Sequence, residues 1–315
     1  MIPDIDVPDD WSFGDLCTWM YCVVDDAWQQ LAPSFRRPGP APVCSDSELL
    51  AMCLIGECIG WDVEMELLSE WGRSDSEVLP FFPRVPSQSR FNRRRRALMQ
   101  GLNLVRKVVL ASLDVAADRQ TCIDSLPIPV VNCYYAPNPH AASEWKSRGA
   151  SFGRVASKRK VIFGYKLHML VTLGGVILDF EMAPANFTDL AVGQELLERH
   201  CDLDTVADKG YISEPVAQAL MQGNNICLMT VPRTNQKRQL PPEVARRLNG
   251  IRQIIETVNA QLQEQFNIER NHAHTFWGLC ARLYSKLAAH TLCLFINRAL
   301  GKQHFLQIKQ LAFPI

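Results

Sequence analysis

Three carboxylates in this chain stand alone among apolar residues. Asp208 follows the short run Asp204-Thr205-Val206-Ala207, with Gly210 two residues on. That pattern predicts a buried strand whose last side chain projects at its C-terminal edge, where α/β sheets build their sites. Asp124 sits inside a second apolar run, Thr121-Cys122-Ile123-Asp124-Ser125-Leu126-Pro127-Ile128. Glu256 lies in Ile251-Arg252-Gln253-Ile254-Ile255-Glu256-Thr257-Val258-Asn259, whose spacing predicts a helix. A carboxylate within an apolar strand is costly to bury without a cation or donors. Three of them on rigid elements suit a metal site for phosphoryl transfer. Two Mg²⁺ ions about 4 Å apart, with Mn²⁺ as a substitute, would serve an in-line displacement at a phosphodiester. Asp124 would bridge both ions, and Asp208 and Glu256 would each hold one. Neither a side-chain base nor a covalent nucleophile is needed.

These residues require particular elements to hold them. Ile251, Ile254, Ile255, Val258, Leu262 and Phe266 form an apolar stripe at helical spacing. Arg252, Glu256, Asn259 and Gln263 form the polar stripe beside it. If the apolar stripe packs on a sheet, Glu256 can lean over the strand ends bearing Asp124 and Asp208. The alternative for Glu256 is a solvated helix residue paired with Arg252. Without metal, three gathered negative charges repel, so raised carboxylate pKa values or splayed side chains are expected.

Strands are expected at 121–131, 161–172, 176–182, 205–208 and 226–231. Gly174-Gly175 marks a hairpin. Ala136 to Lys160 reads as a polar stretch. Helices are expected from Asn186 to His200, from Glu214 to Met221 and from Phe276 to Leu300. A mixed sheet with helices on its faces fits this order. His168 reads as a core or supporting residue, His272 and His274 as exposed, and Asp179 and Asp189 as ordinary strand and cap carboxylates.

The first part of the chain is helical in pattern. Asp15 to Leu31 lacks Gly and Pro. Ser45 with Glu48 three residues on fits a capping box before an apolar run. A further helix covers Val63 to Trp71. After a Pro-rich connector, Ser87 to Leu98 reads as a capped helix with Arg93, Arg94, Arg95 and Arg96 in one turn. Helix, helix, connector and basic helix resemble a helix-turn-helix-like DNA-binding module. Arginine forks suit phosphate, so Arg90 and Arg93 to Arg96 are candidate DNA contacts. Lys158, Arg159, Lys160, Lys209 and Arg252 are further candidates.

Composition limits the classes. With 315 residues the chain has room for about two domains. Its 47% hydrophobic and 21% charged residues are ordinary for a soluble protein. No uncharged run reaches the ~18 residues of a membrane span, and no signal-peptide pattern opens the chain. The 11 cysteines include no Cys-x-x-Cys pair, which suits reduced thiols in a cytoplasmic protein better than zinc or disulfides. Net charge is zero, but its distribution is uneven. Residues 1–86 carry 4 basic and 16 acidic residues, and 87–160 carry 14 and 4. Residues 161–229 carry 3 and 9, and 230–315 carry 12 and 4. Two basic blocks point to a polyanionic partner.

At several of these motifs the sequence resembles the DDE transposases of bacterial insertion sequences. The matching pieces are Ile123-Asp124-Ser125, Phe163-Gly164-Tyr165-Lys166-Leu167-His168, Ala207-Asp208-Lys209-Gly210-Tyr211 and Arg252-x3-Glu256. Phe82 to Arg94 resembles the family's N-terminal region. Many relatives carry Tyr-x2-Arg-x3-Glu-x6-Lys here, and this chain departs from it at Asn249 and Gln263. The resemblance implies a helical DNA-binding region at 1–115 and an RNase H-like catalytic domain at 116–315. It implies Mg²⁺-dependent cleavage and strand transfer at the ends of an insertion sequence. Double-stranded DNA, both element ends and target, would be the partner, with a homodimer assembled on it. The setting would be the bacterial cytoplasm, at the nucleoid. A structure-specific nuclease and an inactive DNA-binding derivative are the alternatives.

Overall fold

The computed structural model describes residues 13–35, 39–73, 82, 84–115, 118–155, 160–232, 240–304, 306–308 and 311. The chain divides into two compact units. One comprises residues 1–114, 262–268 and 272–315, and the other 115–261 and 269–271.

Five helices open the first unit: α1 (Phe13–Leu31), α2 (Asp46–Ile59), α3 (Glu64–Gly72), α4 (Gln88–Ala97) and α5 (Met99–Ala111). The expected capping box starts α2. Ser45 Oγ accepts from the Glu48 amide at 3.1 Å, and the Glu48 carboxylate accepts from the Ser45 amide. Two orphan donors are thereby satisfied. Ser87 stands at the N-cap of α4, but its side chain makes no capping bond. Helix α5 went unread in the sequence, although Leu102, Val105 and Val109 give it a buried stripe.

The second unit is built on a six-stranded mixed sheet. Its strands are β1 (Gln120–Val131), β2 (Ser151–Val155), β3 (Lys160–Thr172), β4 (Ile177–Pro184), β5 (Asp204–Ala207) and β6 (Cys227–Thr230). The order is β2-β3-β1-β5-β6, with β4 also paired to β3. The β1–β3 and β3–β4 ladders are antiparallel; β1–β5 and β5–β6 are parallel. Gly174 and Gly175 turn the expected hairpin, with Gly175 at φ 79°. Helices α6 (Pro139–Ser147), α7 (Asp189–Leu197), α8 (Glu214–Asn224) and α9 (Pro242–Glu264) also lie in this region, with a 3-10 turn at Lys209–Tyr211. Helix α6 and strand β2 occupy the stretch that read as merely polar. Strand β2 pairs only with β3, and its burial does not alternate cleanly, so no period-2 signal marks it.

Ile123 and Leu170 of the sheet pack with Leu196 and Leu197 of α7 and Leu220 of α8 in one buried cluster. Gly193 lets α7 approach closely, because a Cβ there would lie 2.4 Å from the Tyr211 ring.

The last long helix, α10 (Phe276–Ala299), differs from its sequence placement. It read as part of the catalytic domain, yet it belongs to the first unit, against α5, α2 and α4. Every residue from Leu279 to Asn297 except Tyr284 is buried. Its length and hydropathy would suffice to cross a membrane, but 94% of the apolar window is enclosed by protein. It is the core helix of the first unit.

Candidate active site

The parallel ladder between β1 and β5 ends at Ile123↔Ala207. The next residue on each strand is a carboxylate, Asp124 and Asp208. Beyond this point β1 continues without β5, leaving one edge unpaired, which is where Pro127 and Pro129 are tolerated. The two aspartates therefore stand side by side where the sheet splits, at the C-terminal end of a parallel pair.

Strand alternation fixes which way they face. Ile123 and Ala207 join the cluster under α7 and α8, so the following residues emerge on the opposite face. Helix α9 meets them there. Asn259 Nδ2 donates to Asp124 Oδ2 at 3.2 Å. Arg252 lies 3.1 Å from Asp208 Oδ1 and 3.4 Å from Glu256 Oε1. Ile255 and Val258 are the buried residues beside this polar stripe.

Glu256 does not reach the aspartates. Its side chain is 58% exposed and turned to Arg252, one turn back on the helix. Among the described residues no three His, Cys, Asp or Glu side chains are gathered closely enough to hold an ion. Instead the Arg252 guanidinium spans the second and third carboxylates. Arg252, expected to touch DNA, is here committed to Asp208 and Glu256.

Burial pushes the Asp124 carboxyl up to about 6, and the charges of Asp208 and Asp189 add to the rise. The Ser125 amide and Arg252 act the other way without cancelling it. This donor set fits a hard divalent cation. It offers the carboxylate oxygens of Asp124 and Asp208, while Arg252 supplies the positive charge beside Asp208 and Glu256.

A second group of residues supports the first from the α7 face. Asp189 Oδ1 accepts from Ser125 Oγ at 3.1 Å and from Lys166 Nζ at 2.9 Å. It thus ties β1 and β3 to the start of α7, next to Asp124 in sequence. Gly210 lies against the same carboxylate. Asp189 read as a plain cap, and the signal that could have revealed it was Lys166 in an otherwise apolar strand. His168 is fully buried with both ring nitrogens unpartnered, and burial lowers its pKa to about 4. The Tyr211 hydroxyl is buried too, and burial together with Asp124 pushes its pKa well up.

The expected DNA contacts separate into two groups. Arg90, Arg93 and Arg96 are exposed at three-residue intervals on α4, forming one basic stripe. Arg94 and Arg95 turn inward, which removes them from the DNA candidates. Arg94 pairs with Asp46 at 2.7 Å and with the Ser45 carbonyl at 2.9 Å. Arg95 is buried, with Glu57 at 2.8 Å and Ser285 Oγ at 2.9 Å. A guanidinium enclosed this way presents no face to a phosphate. Lys160 and Lys209 are exposed, and Lys158 and Arg159 lie outside the described residues.

Glu57 and Asp62 also hold Lys286, at 2.7 and 2.8 Å. Arg282 pairs with Asp62, and His272 Nε2 lies 3.3 Å from its other oxygen. Burial alone would raise the Asp62 carboxyl, but Lys286 and Arg282 outweigh it and hold the pKa below the usual range. His274 is exposed, as expected.

Residues 118–275 match a family model described as a transposase DDE domain. No curated protein and no solved structure matches the chain.

Proposed function

The chain belongs to the DDE-domain transposases, and from that membership we propose that it cuts and joins DNA at Asp124, Asp208 and Glu256. The observation that carries this reading is the pair of aspartates at the split between β1 and β5, with Arg252 standing between Asp208 and Glu256. The strand order around β1, antiparallel on one side and parallel on the other, supports an RNase H-like core.

Two Mg²⁺ ions held by the three carboxylates would supply activation of the attacking oxygen and stabilisation of the leaving one. The chain's own residues set up that chemistry. Asn259 orients the Asp124 carboxylate through its amide. Asp189, through Ser125 and Lys166, fixes the part of β1 that carries Asp124. Arg252 balances the negative charge of Asp208 and Glu256. Glu256, on the exposed side of α9, would have to turn from Arg252 toward the aspartates to complete the set. The substrate in this reading is double-stranded DNA, first the element's ends and then the target, held by a homodimer.

Incubation with the element's own end sequences, target DNA and Mg²⁺, followed by product mapping, tests the assignment. Joined products with defined ends are expected. Cut DNA without joined product would replace strand transfer by simple nuclease action.

The arginine stripe gives a separate test. Changing Arg90, Arg93 and Arg96 together to Ala is expected to weaken duplex binding. It should also flatten the plot of log K against log salt by roughly 3, about 0.9 per phosphate contact. An unchanged slope in a salt titration would remove this stripe from the DNA interface.

A further inference from the structure

A cavity of about 270 Å³ lies wholly within the first unit, where the start of α10 faces α3 and α4. Helix α4 lines it with Gln88, Asn92 and Arg96, four residues apart and therefore on one face. The approach to α10 brings His272 and His274 to the wall, and Arg282 joins them from the second turn of that helix. None of these residues touches the three carboxylates, which belong to the other unit.

Charge decides what the cavity can hold. Glu64 is the acid among its lining residues, and it is already engaged. Asn92 Nδ2 donates to both of its oxygens, at 2.9 and 3.0 Å, and Arg95 lies 3.6 Å away. Arg282 is bound to Asp62, and with Arg95, Lys286, Glu57 and Glu64 they form a network whose acids and bases are equal in number. Arg96 stands outside that network. It is exposed and has no ion pair among the described residues. Gln88 and His274, both exposed, add hydrogen-bond donors to the same wall. An unbalanced guanidinium with donors around it suits an oxyanion. A cation would be repelled by Arg96, and an apolar ligand would find mainly polar walls.

Helix geometry indicates where that oxyanion comes from. Arg90, Arg93 and Arg96 form the exposed row on α4, and Gln88, Asn92 and Arg96 form the row that lines the cavity. The two rows meet at Arg96, so a DNA backbone lying along the first is delivered to the cavity there. We propose that the cavity seats one backbone phosphate of the DNA, held by Arg96, Gln88 and His274. The segment leading into α10 is then part of the DNA-binding surface, together with α4. The proposal rests on the DNA-cutting reading above. Free inorganic phosphate has the same chemistry, and the test separates the two sources.

The test uses the full chain, fluorescence anisotropy and a duplex carrying the element's own end, with single phosphates replaced one at a time by neutral methylphosphonates. One position is expected to cost wild type about tenfold, the worth of a charge-assisted hydrogen bond. The double variant Gln88→Ala, His274→Ala should bind the unmodified duplex about tenfold more weakly. At that one position the two losses should fail to multiply, whereas elsewhere they multiply. If the double variant folds poorly, Gln88→Glu serves, since it keeps the side chain's shape and adds a repelling charge. Losses that multiply at every position overturn the proposal. In the second arm inorganic phosphate alone is titrated at constant ionic strength, followed by the NMR signals of the His274 ring. Phosphate that shifts those signals and competes with the duplex supports the proposal. Phosphate that shifts them and leaves duplex affinity unchanged makes this a free-anion site and overturns it. Failure to bind the end duplex at all removes the transposase reading together with this site. An end duplex that is bound and cut, with no coupled position, overturns this site alone.

Discussion

Asp124→Asn is expected to abolish DNA cleavage while making the metal-free protein more stable. The substitution keeps the shape of the side chain and the acceptor for Asn259, but removes the charge that would hold a cation. The electrostatic help lost is several kcal/mol, or on the order of 10³-fold in rate or more. Stability moves the other way because Asp124 is ionised against its surroundings, its pKa raised to about 6. The unfolded chain releases that proton near pH 4 and the folded chain only near pH 6. Stability from this group is therefore present at low pH and is lost as pH rises through that window. By pH 7 the loss is about 2–3 kcal/mol. In chelator, Asp124→Asn should melt several degrees above wild type at pH 7 and level with it at pH 3.5. Wild-type cleavage rates in this variant would exclude Asp124 from the site. Equal melting at pH 7 would show that its charge is not under strain.

Lys286→Met should be among the most damaging single changes to the first unit. Lys286 is almost fully buried and touches both Glu57 and Asp62. Counted with Arg95, Arg282 and Glu64, the network has three acids and three bases and is balanced. Removing one base leaves a buried anion without its cation, which costs about 3–5 kcal/mol. That corresponds to a fall in melting temperature of roughly 10 °C. Adding Glu57→Gln to Lys286→Met removes the surplus charge and should recover part of the loss. Thermal unfolding of the two variants side by side decides the matter. A single variant that melts with wild type would show that the network is not a closed one.

The same residues show what the sequence could reveal. Asp124 and Asp208 were readable because each interrupts an apolar run, and burial with alternation then fixes their direction. The Ser45 and Glu48 box and the Gly174-Gly175 hairpin were readable because their chemistry is local. The arginine run was not, because four identical neighbours hide the helical period. Its clue was Phe91, four residues before Arg95 and seven before Leu98, which marks the inward stripe. Glu57 was the corresponding clue on α2, a carboxylate within the apolar run that follows the helix's first turn. Glu256 could be placed on the polar stripe of α9 beside Arg252, but not in its rotamer, which depends on Arg252. Helix α10 is apolar nearly all round, so periodicity could not say which unit would enclose it.

Helix α10 also sets an order of events during synthesis. The first unit takes its core from residues near both ends of the sequence, with the sheet unit encoded between them. Domains generally fold as they leave the ribosome, earliest first. Here the helices from α1 to α5 emerge early and can pack on one another, but the faces that α10 covers must wait, whereas the sheet can close as soon as α9 is out. Only when α10 follows does the scaffold beneath the arginine stripe become complete. The carboxylates are thus assembled before the surface proposed to grip DNA, and a ribosome that stalls before residue 276 leaves the first unit without its core helix.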